Sequence, residues 1–233
     1  MILMWGLNEL MLDTSGYVQK IGLNALIRIA TKHDLILRID CRPGLFVTAG
    51  ECMVSVYPSG RVTDAVADSI RGGLVIGRSR TVDQDLKFSI WRIVELAQRS
   101  LSPGINDPTI AIYCIDRLGE VFGRMSRRDV PSPIHLDKNG QLRIKTEVEN
   151  PAELVCHAIS AIARYGISEV DVVKRLVHLM DKLSLTLSPQ RLKVLPHLVI
   201  KCFSKERATL FRALIAKKCK NCSVATNSEA HAL

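Results

Sequence analysis

The spacing of apolar residues changes several times along this chain, and each change marks an element. Leu23, Leu26, Ile27 and Ala30 recur at i, i+3, i+4 and i+7, which predicts a helix over residues 23–32. On either side the pattern is that of strands. "GYVQKI" reads as one, and in "LILRIDC" Leu35, Leu37 and Ile39 alternate with Ile36, Arg38 and Asp40. "RPGLFVTAGECMVSVYP" predicts a turn, a short strand, a second turn at Ala49-Gly50 and a last strand. "VTDAVADSIR" predicts a short helix, followed by Gly72-Gly73 and a strand "LVIG".

A helical period then dominates. Over residues 82–101, Leu86, Ile90, Ile93, Val94, Ala97 and Leu101 share one face, widened by Phe88 and Trp91. Thr81 and Gln84 have the spacing of a capping box at its start. Pro103 moves Ser102 out of the helical region and stops the helix. Gly104 is expected to turn the chain with a positive φ, and Asp107-Pro108 to cap and restart it. The next stripe is Ile110 or Ala111, Cys114, Leu118, Val121, Phe122 and Met125, giving a helix to about residue 127.

"PSPIHLDKNGQLRIKTEV" predicts a hairpin turning at Asn139-Gly140. Asn150-Pro151 opens a third long helix, which ends at Gly166. Ser168 is expected to cap a fourth, with Val170, Val173, Val177, Met180 and Leu183 inward. Ser188-Pro189 is expected to open a fifth and Ser204 a sixth. The fold class is therefore α+β, a small β-rich N-terminal unit plus a predominantly helical remainder. The expected division is an apolar N-terminal stub over 1–14 and an α+β core domain over 15–149. A basic helical layer over 150–222 and a disordered tail over 223–233 complete it.

Composition narrows the function classes. The 233 residues are 47% hydrophobic with 24% charged, enough for a substantial core without disulfides or metals. Seven cysteines, an odd number at irregular spacings, fit a reducing compartment. No apolar run is long enough to span a bilayer, so the chain reads as soluble. The net charge is +9, and residues 171–220 hold twelve Lys/Arg against three Asp/Glu. That asymmetry points to an anionic partner. An anionic lipid surface ranks ahead of nucleic acid, because Phe203 and Phe211 occupy apolar helix positions and leave no stacking platform.

Two segments carry candidate chemistry. In "GRSRTVDQD" a strand ends, two arginines follow and a helix begins. Arg78 and Arg80 at a helix start fit a phosphate or carboxylate, or else pair with Asp83, Asp85 or Asp107. In "SLSPGINDPT", Ser102 has no histidine near it in sequence and no G-x-S-x-G around it, which argues against a nucleophile. Asp83, Asp85, Asn106 and Asp107 have the oxygens for a hard cation but no ligand loop of fixed spacing. Cys219 and Cys222 form a lone C-x-x-C at a helix end, which fits neither a complete zinc site nor a redox motif. No cofactor is expected.

These residues resemble a family. "SGYVQKIG", "PGLFVTAG", "LVIGRSRTVDQDLKFSIWRIVELAQRSLSPGINDPTIA" and "CIDRLGEVF", in that order, are similar to the soluble part of bacterial predicted membrane proteins. The family is catalogued as the domain of unknown function numbered twenty-two fifty-four. Its signature, R-T-x-x-Q-D-x-x-F followed by A-L-S-P-x-x-N-D-P, falls on Arg80, Thr81, Gln84, Asp85 and Phe88. Its second half falls on Leu101, Ser102, Pro103, Asn106, Asp107 and Pro108. Gly22, Leu45 and Ser100 depart from the pattern. The resemblance covers roughly residues 15–215. It implies a bacterial inner-membrane setting with this domain on the cytoplasmic face, following several membrane helices. It implies no activity.

The expectation is a non-enzymatic ligand- or partner-binding module. Its candidate contacts are Arg78, Arg80, Gln84, Asp85, Ser102, Asn106 and Asp107. Its partners would be anionic lipid, a membrane-embedded partner or segment, or a homo-oligomer. The rival is a metal-assisted enzyme for a phosphorylated or carboxylated small molecule, working through Asp85, Asn106 and Asp107.

Overall fold

A computed structural model describes residues 6–186. The expected fifth and sixth helices, the tail, Cys219 and Cys222 lie outside them, as does about half of the expected basic layer. The fold is mixed α+β, and the chain divides into two compact units interleaved in sequence. Among the described residues, the first comprises 6–89 and 130–149, the second 90–129 and 150–186.

The first unit holds two sheets. Strands β1 (Asn8–Met11), β2 (Gly16–Ile21), β3 (Ile36–Ile39), β4 (Phe46–Val47), β5 (Cys52–Tyr57), β6 (Leu74–Gly77), β7 (Ile134–Leu136) and β8 (Leu142–Thr146) form them. One sheet has the order β1-β5-β3-β8-β7, with β3 and β8 parallel and the other pairs antiparallel. The other has the order β4-β2-β6 and is antiparallel. Residues 8–11, read from sequence as part of a stub, are a strand because Leu10 is buried while Glu9 and Met11 alternate outward. Helix α1 (Leu23–His33) buries Leu26 and Ala30, as its period requires. It ends on Asp34 with φ 48, whose backbone N–H bonds to Thr31. Helix α2 (Asp64–Arg71) is capped by Thr63 and buries Val66, Ala67 and Ile70. Val18, Leu26, Leu37, Val56, Ile70 and Ile144 are among the core residues.

Arg143 on β8 ties the hairpin into this unit. It is buried, pairs with Asp137 at 2.7 Å and Asp34 at 2.8 Å, and donates to the Gln141 side chain. Asp137 also accepts the backbone N–H groups of Asn139 and Gln141, so one carboxylate holds both the turn and the arginine. Those bonds hold the carboxyl groups of Asp34 and Asp137 below the usual range. The Arg143 hydrogen bond is the largest cause in each case.

The core of the second unit comes from helix α3 (Leu86–Ser100) from Ile90 onward, with α4 (Pro108–Ser126), α5 (Pro151–Gly166) and α6 (Val170–Thr186). Ile90, Val94 and Ala97 are buried on α3, and Ala111, Cys114, Leu118 and Phe122 on α4, on the faces the period predicted. Asn150 caps α5 by accepting from Ala152. Helix α5 buries positions all round, as an apolar helix at a bundle centre must. On α6 the inward set includes Val172, Val173, Leu176, Val177 and Leu183. Val170, expected to face inward, is 65% exposed at the first residue of the helix.

Pairings along the helices fix the order of this unit. Gln98 donates to Ala161, and Leu101 lies beside Gly166, so α3 and α5 run the same way. Asp116 pairs with Arg175, and Leu179 lies beside Gly119, so α4 and α6 run together as well. The α3–α4 and α5–α6 corners therefore lie at one end of the bundle.

Candidate functional site

Between β6 and α3 the segment "RSRTVDQ" has no regular structure, and side chains hold it against β2. Gln19 donates to the Ser79 carbonyl at 2.7 Å. The Ile21 N–H donates to Gln84 Oε1 at 3.0 Å, and Gln84 Nε2 donates back to the Ile21 carbonyl at 3.4 Å. The Gln84 amide thus acts like one residue of a neighbouring strand at the end of β2, where β6 pairs with Ile21 and the short strand β4 pairs only with Gly16 and Tyr17.

This corrects the capping box expected from Thr81 and Gln84. The helix begins at Leu86, not at 82, and Asp85 caps it by accepting the Phe88 N–H at 2.8 Å. A carboxylate is the stronger cap because it meets the positive end of the helix dipole. Gln84 is unavailable for a box because β2 holds its amide.

Asp85 is 3% exposed. Its second oxygen accepts from Arg80 Nε at 2.7 Å and lies 2.6 Å from Arg80 Nη2. The Arg80 guanidinium stacks over the Phe88 ring, 4.9 Å from its centroid. Both carboxylate oxygens and one face of the cation are thus engaged within a single turn of chain. Gly44 closes the arrangement from the "RPGLF" loop. Its φ is +86, and a Cβ there would lie 2.0 Å from Asp85 Oδ2 and 2.8 Å from Arg80 Nη2. Beside it, Glu149 accepts from Arg42 at 2.6 Å and from Lys87 at 3.2 Å. Arg78 stands apart, exposed, with no ion-pair partner among the described residues.

The second candidate segment, in the other unit, is closed by its own bonds. Ser102 Oγ donates to the Arg99 carbonyl at 2.7 Å. The N–H groups of Ile105 and Asn106 bond to the Ser102 carbonyl, and that of Asp107 to the Ser100 carbonyl at 2.7 Å. Carbonyls left over at the end of α3 are satisfied in this way. Asp107 Oδ1 then accepts from Thr109 and Ile110 and starts α4. The left-handed residue of this turn is Asn106, with φ 46, and not Gly104 as expected. Asparagine is the side chain that tolerates this conformation best after glycine.

Arg80, Gln84 and Asp85 are thus brought together, and Ser102, Asn106 and Asp107 make a second, separate set of local bonds. Sequence reasoning did not list Gly44, Arg42, Phe88 or Glu149 as site residues. Phe88 stands in the signature, and "PG" marks a turn, but nothing local links Arg42 to a carboxylate at 149. Burial pushes the Cys41 thiol up to about 12, with Asp40 adding to the effect, so this cysteine is no nucleophile at neutral pH. Among the described residues, no group of three or more His, Cys, Asp or Glu has metal-binding geometry. None of the described helices is long and apolar enough to cross a membrane.

Comparison with known proteins places these features in context. The chain is 27% identical over 171 residues to uncharacterized protein Mb1321c of Mycobacterium bovis and to uncharacterized protein Rv1290c of Mycobacterium tuberculosis. Each match covers 72% of this chain and 33% of the relative, so the chain spans about a third of the length of these proteins. No solved structure matches it. The model of the family described as "Predicted membrane protein (DUF2254)" matches residues 7–182, and the chain belongs to that family.

Proposed function

We propose that this chain is a non-catalytic binding and regulatory domain of a membrane protein, lying on the cytoplasmic face and contacting an anionic surface or a membrane-embedded partner. The observation that carries this reading is the engagement of Asp85, the buried candidate carboxylate. One of its oxygens accepts the Phe88 N–H and the other is held by the Arg80 guanidinium, while Asp107 spends one oxygen on the N–H groups of Thr109 and Ile110 as a helix cap. A buried acid engaged through both oxygens by a cation and a backbone N–H is poorly placed to serve as a metal ligand or general base. The binding reading is therefore preferred to a metal-assisted enzyme. Arg80, Gln84 and Asp85 serve as positioning residues for the segment that displays Arg78. Ser102, Asn106 and Asp107 serve the corner in the same way.

Sedimentation of the full chain with vesicles tests the reading. Binding to phosphatidylcholine vesicles containing phosphatidylglycerol is expected at low salt. It should fall steeply by about 0.5 M salt, where the screening length is only a few ångströms. Arg78→Ala should weaken it severalfold. Absence of pelleting with the anionic vesicles at low salt would overturn the proposal.

A further inference from the structure

Helices α4 and α6 run side by side in the same direction, and a groove of about 500 Å³ opens between them. Its floor is apolar, with Ile115 from α4 and Leu179 and Leu183 from α6. Gly119 and Gly123 add no side chain to the α4 wall, and among the described residues nothing lies within 4 Å of a Cβ at Gly123. The rim carries both signs. Asp116 and Glu120 stand on the α4 side, Arg175 and Lys182 on the α6 side, and Asp116 pairs with Arg175. A rim of mixed sign selects neither an anionic bilayer nor nucleic acid, so shape and apolar contact decide what fits.

We propose that this groove is the seat of residues 190–203 of the same chain, packed as a further helix antiparallel to α4 and α6. The proposal concerns the second unit alone and stands whether or not the chain meets a membrane.

The occupant follows from where the chain leaves the bundle. Helix α6 ends at Thr186, one turn past Leu183, and Leu183 lines the groove. Ser188-Pro189, the expected start of the next helix, comes two residues later. A link that short joins helices that lie side by side and run in opposite directions. Because α4 runs with α6, one helix can be antiparallel to both at once, and the groove between them is where it does so.

The residues fit that seat. Leu192, Leu195, Leu198, Val199, Cys202 and Phe203 share one face at helical spacing, opposite Gln190, Lys193, His197 and Lys201. As a helix, Leu192 to Val199 spans about 10 Å, and Ile115 to Gly123 about 12 Å. Laid antiparallel, Leu192 meets Gly123 and Leu183, and Val199 reaches the Ile115 end. Pro196 removes one backbone hydrogen bond from such a helix, so it depends on packing to form. A tethered segment also meets the groove at a high effective concentration, which favours it over a free partner. Seated there, the helix turns Lys193, His197 and Lys201 outward, so packing on α4 and α6 sets which way these basic residues face.

The test uses the full chain with Cys202, Cys219 and Cys222 replaced by alanine, so that no native cysteine beyond α6 competes. Gly123→Cys with Leu192→Cys should form a disulfide within the monomer on mild oxidation with copper phenanthroline, read by non-reducing electrophoresis and peptide mass spectrometry. Arg117→Cys with Leu192→Cys, in which position 117 lies on the exposed face of α4, should not. Hydrogen exchange gives a second reading. In the parent, the amides of residues 192–203 should be protected. Gly123→Trp, whose ring fills the groove, should abolish that protection and leave the amides of α5 protected.

Failure of the Gly123 and Leu192 positions to cross-link overturns the proposal, as does an unprotected segment in the parent or protection that Gly123→Trp leaves unchanged. A disulfide that joins two chains instead of closing within one also overturns it, and names a second copy as the occupant.

Discussion

A methyl group at position 44 has nowhere to go. It would fall on the Asp85 carboxylate, in a backbone conformation that disfavours any side chain. Gly44→Ala is therefore expected to cost about 2 kcal/mol or more in denaturant unfolding, through strain and a displaced buried ion pair. Gly104→Ala should be neutral or stabilise by up to about 1 kcal/mol, because nothing lies near that position and its φ is not positive. From sequence these two glycines look alike, each beside a proline in a turn. Only the fold separates them, because what fills the space around Gly44 comes from residues 80 and 85. The acids around Arg143 give a further test at this scale. Asp34 and Asp137 have lowered pKa values in the folded chain, so the stability they contribute is present above the ordinary value of 3.8. It is lost as pH falls through the folded values. Acid titration of unfolding should show the parent losing stability below about pH 4, and Asp137→Asn should flatten that part of the curve.

At the scale of elements, most of the architecture was legible because periodicity is local. The faces of α1 and α4, that of α3 from Ile90 onward, the ends of α5 and the hairpin at Asn139-Gly140 follow from spacing and punctuation alone, and the Asp107 and Asn150 caps from residue type; Leu86, expected on the inward face of α3, is 47% exposed at the first residue of the helix. Asp107→Ala should cost about 1 kcal/mol by thermal or denaturant unfolding, the usual price of a lost cap. The start of α3 was not legible, and the reason is physical. Thr81 and Gln84 have the spacing of a capping box, but the Gln84 amide bonds to Ile21, sixty-three residues earlier. A local rule cannot register a competitor so distant in the chain. The same limit hid Arg42 and Lys87 on Glu149, a carboxylate that reads from sequence as an unremarkable loop residue.

Across the whole molecule, the chain leaves its first unit after residue 89, builds two helices' worth of the second, returns for a hairpin and leaves again at 149. Contiguous boundaries cannot express that path, since the hairpin joins β3 through parallel pairing with β8, over a hundred residues away. The family signature straddles the junction, its first half in one unit and its second in the other. In each half its polar residues close a turn: Arg80, Gln84 and Asp85 at the start of α3, and Ser102, Asn106 and Asp107 between α3 and α4. A signature that holds the fold leaves function to the surfaces it positions, Arg78 among them. The most direct test is a double-mutant cycle on Arg80 and Asp85, read by denaturant unfolding of the full chain. If the pair is structural, Asp85→Ala should destabilise by about 3 kcal/mol, and removing Arg80 as well should cost clearly less than the sum of the single changes. Stability unchanged to within about 0.5 kcal/mol in Asp85→Ala would mean that this buried carboxylate is kept for something other than the fold, and would contradict the account.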